Sequence, residues 1–199
     1  LERRTATKPP ALAELSDNLV FGVGDPDAKL MLVGEAPGED EDLSGEPFVG
    51  RAGQLLDRIL ESVGLDRQEI YITNIVKHRP PGNRNPKPEE IRASEPVLLE
   101  QIKIIRPQII APLGNVPTQW FLETKLGITQ THGRWHDWHG VRLMPLFHPA
   151  YLLRNPSRER GAPKWLMWND MKELKRALDT LPPKDHTMHI DVSEQGELF

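Results

Sequence analysis

The stretch Lys29-Leu30-Met31-Leu32-Val33-Gly34-Glu35-Ala36-Pro37-Gly38 decides the fold. Its unbroken apolar run, stopped by a glycine, suits a buried strand. Glu35 follows directly, on a tight turn where the backbone can approach a ligand and a carboxylate can orient water. Residues 70–76 read as a second strand, and residues 108–113 with Gly114 repeat the strand-then-glycine pattern. Between them, residues 52–63 place Leu55, Leu56, Ile59, Leu60 and Val63 at helical spacing, with Gly64 as the stop, and residues 89–105 share that period. Residues 133–138 and 141–146 look like a hairpin turning at His139-Gly140, whose second strand delivers His148, and residues 162–181 form a last amphipathic helix. Alternating strands and helices predict an α/β fold: a three-layer αβα sandwich around a central, mainly parallel four-stranded sheet. Such sheets bind ligands at the carboxyl ends of their strands, where Glu35, Asn74 and His148 all fall.

With 199 residues, 38% of them apolar, the chain has enough material for one domain with a sizeable core. The opening without Met reads as a trimmed end. Residues 1–17 are expected to be a partly disordered extension, 18–182 the folded domain and 183–199 a mobile tail. No window approaches the roughly 18 apolar residues of a membrane span, and no charged-then-apolar leader opens the chain, so a cytoplasmic protein is expected. The absence of Cys removes disulfides, thiolate nucleophiles and zinc–thiolate sites. The net charge of −4 argues against wholesale coating of nucleic acid, but cations gather in two places: Lys77, Arg79, Arg84 and Lys87, then Arg154, Arg158, Arg160 and Lys164.

Each candidate residue has a plainer reading beside the functional one. Glu35 is a water-orienting carboxylate or a capping acid. His148-Pro149-Ala150 sets an imidazole at the mouth of the sheet. Leu152-Leu153-Arg154 then reads either as an apolar wedge that unstacks a base, with Arg154 and Arg158 on phosphates, or as a helix packing leucines into the core. Phe48, in a glycine-bounded loop, can stack on a flat heterocycle or fill the core. Asn74 can read a pyrimidine edge through its amide, or simply cap a turn. His132, His136 and His139 with His148 match no zinc spacing, and no metal site is expected.

Together these segments resemble one family: the thermostable uracil-DNA glycosylases of family four. The similarity runs from about residue 20 to 181 and includes residues 34–42, Pro47-Phe48-Val49-Gly50, Ile72-Thr73-Asn74-Ile75-Val76-Lys77, Arg79-Pro80-Pro81, Asn83-Arg84 and the stretch from Phe147 to Ser157. The resemblance implies a monofunctional, base-flipping repair enzyme that removes uracil from DNA and leaves an abasic site. It gives Phe48 a stacking role, Asn74 and Ala36 contacts to uracil, Glu35 the water, and His148 a hydrogen bond to the pyrimidine O2. It also offers Asn83 as a further catalytic candidate and Glu41 as a barrier against the thymine methyl. Arg79, Arg84, Pro149, Ala150, Leu152, Leu153, Arg154 and Arg158 would meet DNA. A monomer without cofactor is expected, and the alternative is a non-catalytic reader of uracil or damaged DNA.

The family's iron–sulfur cluster needs four cysteines, and here His78 and Ser94 stand at two of those positions. Packing, proline stiffness and hydrogen bonds must hold that flank instead, and His78 is expected to meet Ser94. A related subgroup captures DNA covalently through a loop His. Residues 79–87 contain none, so ordinary turnover is expected. The final residues, with Gln195, Leu198 and Phe199, resemble short peptides that dock on the replication sliding clamp.

Overall fold

A computed structural model describes residues 8–187 and 189–192. The strands are β1 (Val23–Gly24), β2 (Leu30–Gly34), β3 (Tyr71–Asn74), β4 (Ile109–Pro112), β5 (His136–Trp138) and β6 (Val141–Leu143), and they form one sheet in the order β1-β3-β2-β4-β6-β5. The central four, β3-β2-β4-β6, are parallel, while β1 and β5 pair antiparallel at the edges. The sheet thus has six strands where four were expected. β5 and β6 are the expected hairpin, while β1, two residues long, is too short for periodicity to mark.

The helices are α1 (Glu39–Ser44), α2 (Arg51–Ser62), α3 (Pro88–Ile105), α4 (Asn115–Leu122), α5 (Ile128–Thr131), α6 (Pro149–Arg154) and α7 (Pro163–Asp179). Alternation along β2 builds the layers, since successive side chains in a strand point to opposite faces. Leu30 and Leu32 pack with Leu56 and Leu60 of α2, Leu152 of α6, and Met167 and Met171 of α7. Met31 and Val33 pack with Ile91, Leu98 and Ile102 of α3 and Trp120 and Phe121 of α4. Between β5 and β6, His139 (φ 49°) and Gly140 (φ 80°) both adopt positive φ, as the tightest hairpin turns require.

The ordered structure extends beyond the expected domain limits at both ends. Leu12 and Leu15 are buried in the α3-side core, and the Ser16 amide donates to the Arg79 carbonyl at 2.9 Å. At the other end, Ile190 and Val192 join the same core, and Lys184 Nζ donates to the Ile105 carbonyl at 2.6 Å and pairs with Asp27 at 2.9 Å. Gln195, Leu198 and Phe199 lie outside the described residues.

Candidate active site

Register assembles the site. Gly34 pairs with Asn74 across β2 and β3, so the carboxyl ends of the two strands lie side by side. Leu113 bridges Leu146 in parallel, and the Gly114 amide donates to the Leu146 carbonyl at 2.9 Å, which brings the end of β4 beside the segment leading to His148. Glu35, Ala36, Glu41, Phe48, Asn74, Asn83, Gly114, His148, Ala150 and Arg154 share the wall of one cleft of about 800 Å³.

Two glycines are fixed by this crowding. A Cβ on Gly34 would stand 2.2 Å from Asn74 Oδ1 and 2.7 Å from Phe48 Cζ, so the amide and the ring converge where that side chain is missing. One on Gly114 (φ 93°) would stand 3.0 Å from His148 Cβ. Phe48 itself has φ 55°, costly for a non-glycine residue, and its ring centroid lies 5.6 Å from that of His148.

Glu41 explains how that loop is held. One of its carboxylate oxygens accepts from the Val49 and Gly50 amides at 2.9 Å each, and the other accepts from Gly38 N at 3.1 Å. The carboxylate that was expected to exclude a thymine methyl is therefore engaged by backbone, tying α1 to the Phe48 loop.

Glu35 and His148 have opposite electrostatic fates. The Glu35 carboxyl has no hydrogen-bond partner among the described residues, and burial pushes it up to about 7. His148 caps α6, its Nδ1 accepting from the Ala150 amide at 3.1 Å. Burial pulls its imidazole down to about 4, with the Arg154 charge adding to the effect and Glu41 opposing it. A neutral ring whose Nδ1 accepts must carry its proton on Nε2, leaving an N–H donor for the cleft. Asn74 is almost fully buried, and its side-chain amide bonds to no described residue.

Lys77 was placed in the first cation cluster, but it is buried beneath the site. Nζ donates to Asn74 O at 2.5 Å, Thr73 Oγ1 at 2.6 Å and Gln101 Oε1 at 2.5 Å, three acceptors for the three N–H of an ammonium. Burial opposes them and pushes its proton affinity well below the ordinary lysine range. The rest of that cluster is neutralised. Arg79 pairs with Glu39 at 3.4 Å and donates through Nε to Asn83 Oδ1 at 2.7 Å, so Asn83 stands at the rim with its acceptor occupied. Arg84 grips Glu90 through two bonds of 2.6 and 2.8 Å, and Lys87 pairs with Glu14 at 2.9 Å. Arg154 and Arg158, by contrast, are exposed and carry no ion pair among the described residues.

The wedge reading of Leu152 fails because its side chain is core, only 1% exposed and packed with the α2 and α7 residues. Pro149 is buried as well, and Leu153 is half-buried. Sequence reasoning missed Tyr151, which lines the cleft and stacks on Phe147 at 5.6 Å, and Arg51 and Asn115 on the same wall. Their helix-start positions carry no distinguishing signal.

The residues on the cluster flank do not fit an iron–sulfur group, which needs thiolate ligands. His78 Nδ1 lies 3.0 Å from the Asn18 carbonyl, and Ser94 Oγ is buried without a partner, so the two do not meet. No group of three or more His, Asp or Glu side chains is placed to hold a metal among the described residues. His132 is instead bound to Asp170 at 2.7 Å. The flank is held by the Arg84–Glu90 clamp and by the Val20 amide donating to the Lys77 carbonyl at 2.9 Å.

The model of the Uracil DNA glycosylase superfamily matches residues 21–172, nearly the whole of this sheet and both helical layers. The chain belongs to that superfamily. Among curated relatives, the type-4 uracil-DNA glycosylase of Thermotoga maritima is 49% identical over 144 residues, covering 71% of this chain and 75% of the relative. The type-4 enzyme of Saccharolobus solfataricus is 41% identical, covering 83% and 78%. That of Sulfurisphaera tokodaii is 40% identical, covering 89% and 81%. These likenesses put the chain in the type-4 branch, with the cysteine-free flank as its departure.

Proposed function

We propose that the cleft takes a deoxyuridine flipped out of DNA and hydrolyses its N-glycosidic bond, as a uracil-DNA glycosylase of base excision repair. Phe48 stacks on the extruded base, and the free amide of Asn74 bonds its polar edge. As the bond from the sugar C1′ to uracil N1 breaks, the electron pair leaves with the base and negative charge spreads to O2. His148 Nε2–H donates to that oxygen. A neutral donor in a dry site stabilises developing charge without first losing a proton. Glu35, as carboxylate, takes a proton from the water that adds to C1′. Lys77 is a positioning residue in this scheme, holding the Asn74 backbone from below.

The observation that carries the reading is the His148 hydrogen bond, because it fixes which ring nitrogen offers a proton to the cleft. DNA is the substrate. The paths of its phosphates past Arg154, a monomeric state, a cytoplasmic location and clamp docking through Gln195, Leu198 and Phe199 belong to the same proposal. The test is alkaline strand cleavage of an oligonucleotide bearing one deoxyuridine, under single-turnover conditions, beside Glu35→Ala and His148→Ala. Cleavage by the unaltered chain, cut roughly 10²–10⁴-fold by each change, supports it. Intact DNA with uracil-selective binding would make the chain a reader instead.

A further inference from the structure

A second cavity of about 390 Å³ lies between α2, α6 and the start of α7. Its wall combines Trp165 and Trp168 with Arg58, Arg158 and Lys164, and includes no carboxylate. None of these three cations has an ion pair among the described residues, whereas the cations at residues 79–87 are each tied to one. In a chain of net charge −4, such a concentration of unpaired positive charge favours a polyanion.

Trp168 adds a second, independent observation. It is 46% exposed although the Lys172 ammonium sits 3.5 Å over its ring centroid. A cation on one side fixes the ring and leaves its remaining surface to a flat partner. Large exposed aromatics beside unpaired cations are the elements from which proteins build platforms for unpaired bases.

The groove and the cleft are lined from the same helices. On α2, Arg51 and Ala52 line the cleft, while Leu55, Arg58 and Ile59 line the groove. On α6, Tyr151 and Arg154 line the cleft and Leu152 the groove, with Arg158 reaching the groove from the segment after the helix. Six residues of helix from Ala52 to Arg58 span about 9 Å, or roughly three nucleotides of a stacked strand.

We propose that this groove is a subsite for unpaired nucleotides flanking the extruded base on the same strand. Bases stack on Trp168, and phosphates lie against Arg58, Arg158 and Lys164. The proposal rests on the glycosylase reading and extends it to strand choice: uracil in single-stranded DNA is held by contacts that a duplex, with its bases paired, does not offer.

The experiment compares the full chain with Trp168→Ala and with an Arg58→Ala/Lys164→Ala pair. Uracil release is measured on a single-stranded 15-mer and on a trinucleotide with central deoxyuridine, too short to reach the groove. Both variants should raise KM for the 15-mer about tenfold, with kcat and trinucleotide kinetics unchanged. The double variant should also lower the salt slope of binding by about 1.4. Equal losses on long and short substrates, or unchanged KM on the long one, overturn the subsite. Anisotropy of a labelled uracil-free thymidine 15-mer separates this from failure of the glycosylase reading. Weaker binding by the variants upholds the groove even where no uracil is released, and unchanged binding overturns it.

Discussion

Glu35 and Glu90 are two sheltered carboxyls with opposite proton affinities. Glu90 is buried, yet Arg84 grips it with two hydrogen bonds, the Lys87 amide adds a third at 2.6 Å, and its carboxyl is held below the usual range. Glu35 has no partner among the described residues, and its burial pushes it up to about 7. Partners, present for one and missing for the other, set the two apart. The flank at residues 79–90 spends its charges on holding the fold, whereas the mouth of the cleft keeps an unpaired acid, an unpaired amide and a neutral imidazole facing the space a substrate would fill.

The largest break in that comparison is Glu35→Gln. Glu35 binds its proton more tightly folded than unfolded, so its ionisation lowers stability as pH rises from about 4.5 through about 7. The glutamine variant should match the unaltered chain at pH 4 and exceed it by up to roughly 3 kcal/mol at pH 8, as read from urea melts. His148 works the other way. With its pKa lowered from 6.5 to about 4, stability is full above 6.5 and is lost as pH falls towards 4. The two nearly cancel in the intact protein; the variant shows the His148 slope alone, and its difference from the unaltered chain gives the Glu35 slope.

Gly34→Ala attacks geometry rather than charge. The new Cβ must displace Asn74 or Phe48, and kcat/KM for uracil release should fall about 10²-fold, since a misplacement near 1 Å suffices for that. Full activity would mean that the convergence of amide and ring is incidental. Glu90→Gln should do the reverse. Weakening the charge-assisted grip of Arg84 costs about 2 kcal/mol in urea unfolding, while uracil release per folded molecule is unchanged. A loss of rate without a loss of stability would move the flank into the site.

Much of this contrast was legible in the sequence. The apolar runs ending in Gly34 and Gly114, the periodicity of α2 and α3, and the turn at His139-Gly140 are strong local signals that fixed the layers and put Glu35, Asn74 and His148 at strand ends. The short edge β1 was not visible, because two residues have no measurable period. Nor was the fate of charges: Arg79, Arg84 and Lys87 look like a binding face until Glu39, Glu90 and Glu14 are brought to them, and Lys77 looks exposed until α3 closes Gln101 over it. Leu152 had two readings, and packing against α2 and α7 chose the core.

The most direct test is the pH dependence of the second-order rate constant for uracil release, measured from pH 5 to 9 on the unaltered chain and on Glu35→Gln. The rate should rise with pH to a plateau, with a midpoint near 7, as the unpartnered acid ionises, and His148 should add no limb because it titrates near 4. Glu35→Gln should be flat and roughly 10²–10⁴-fold slower. A flat profile for the unaltered chain, or a variant keeping both rate and limb, would contradict the account.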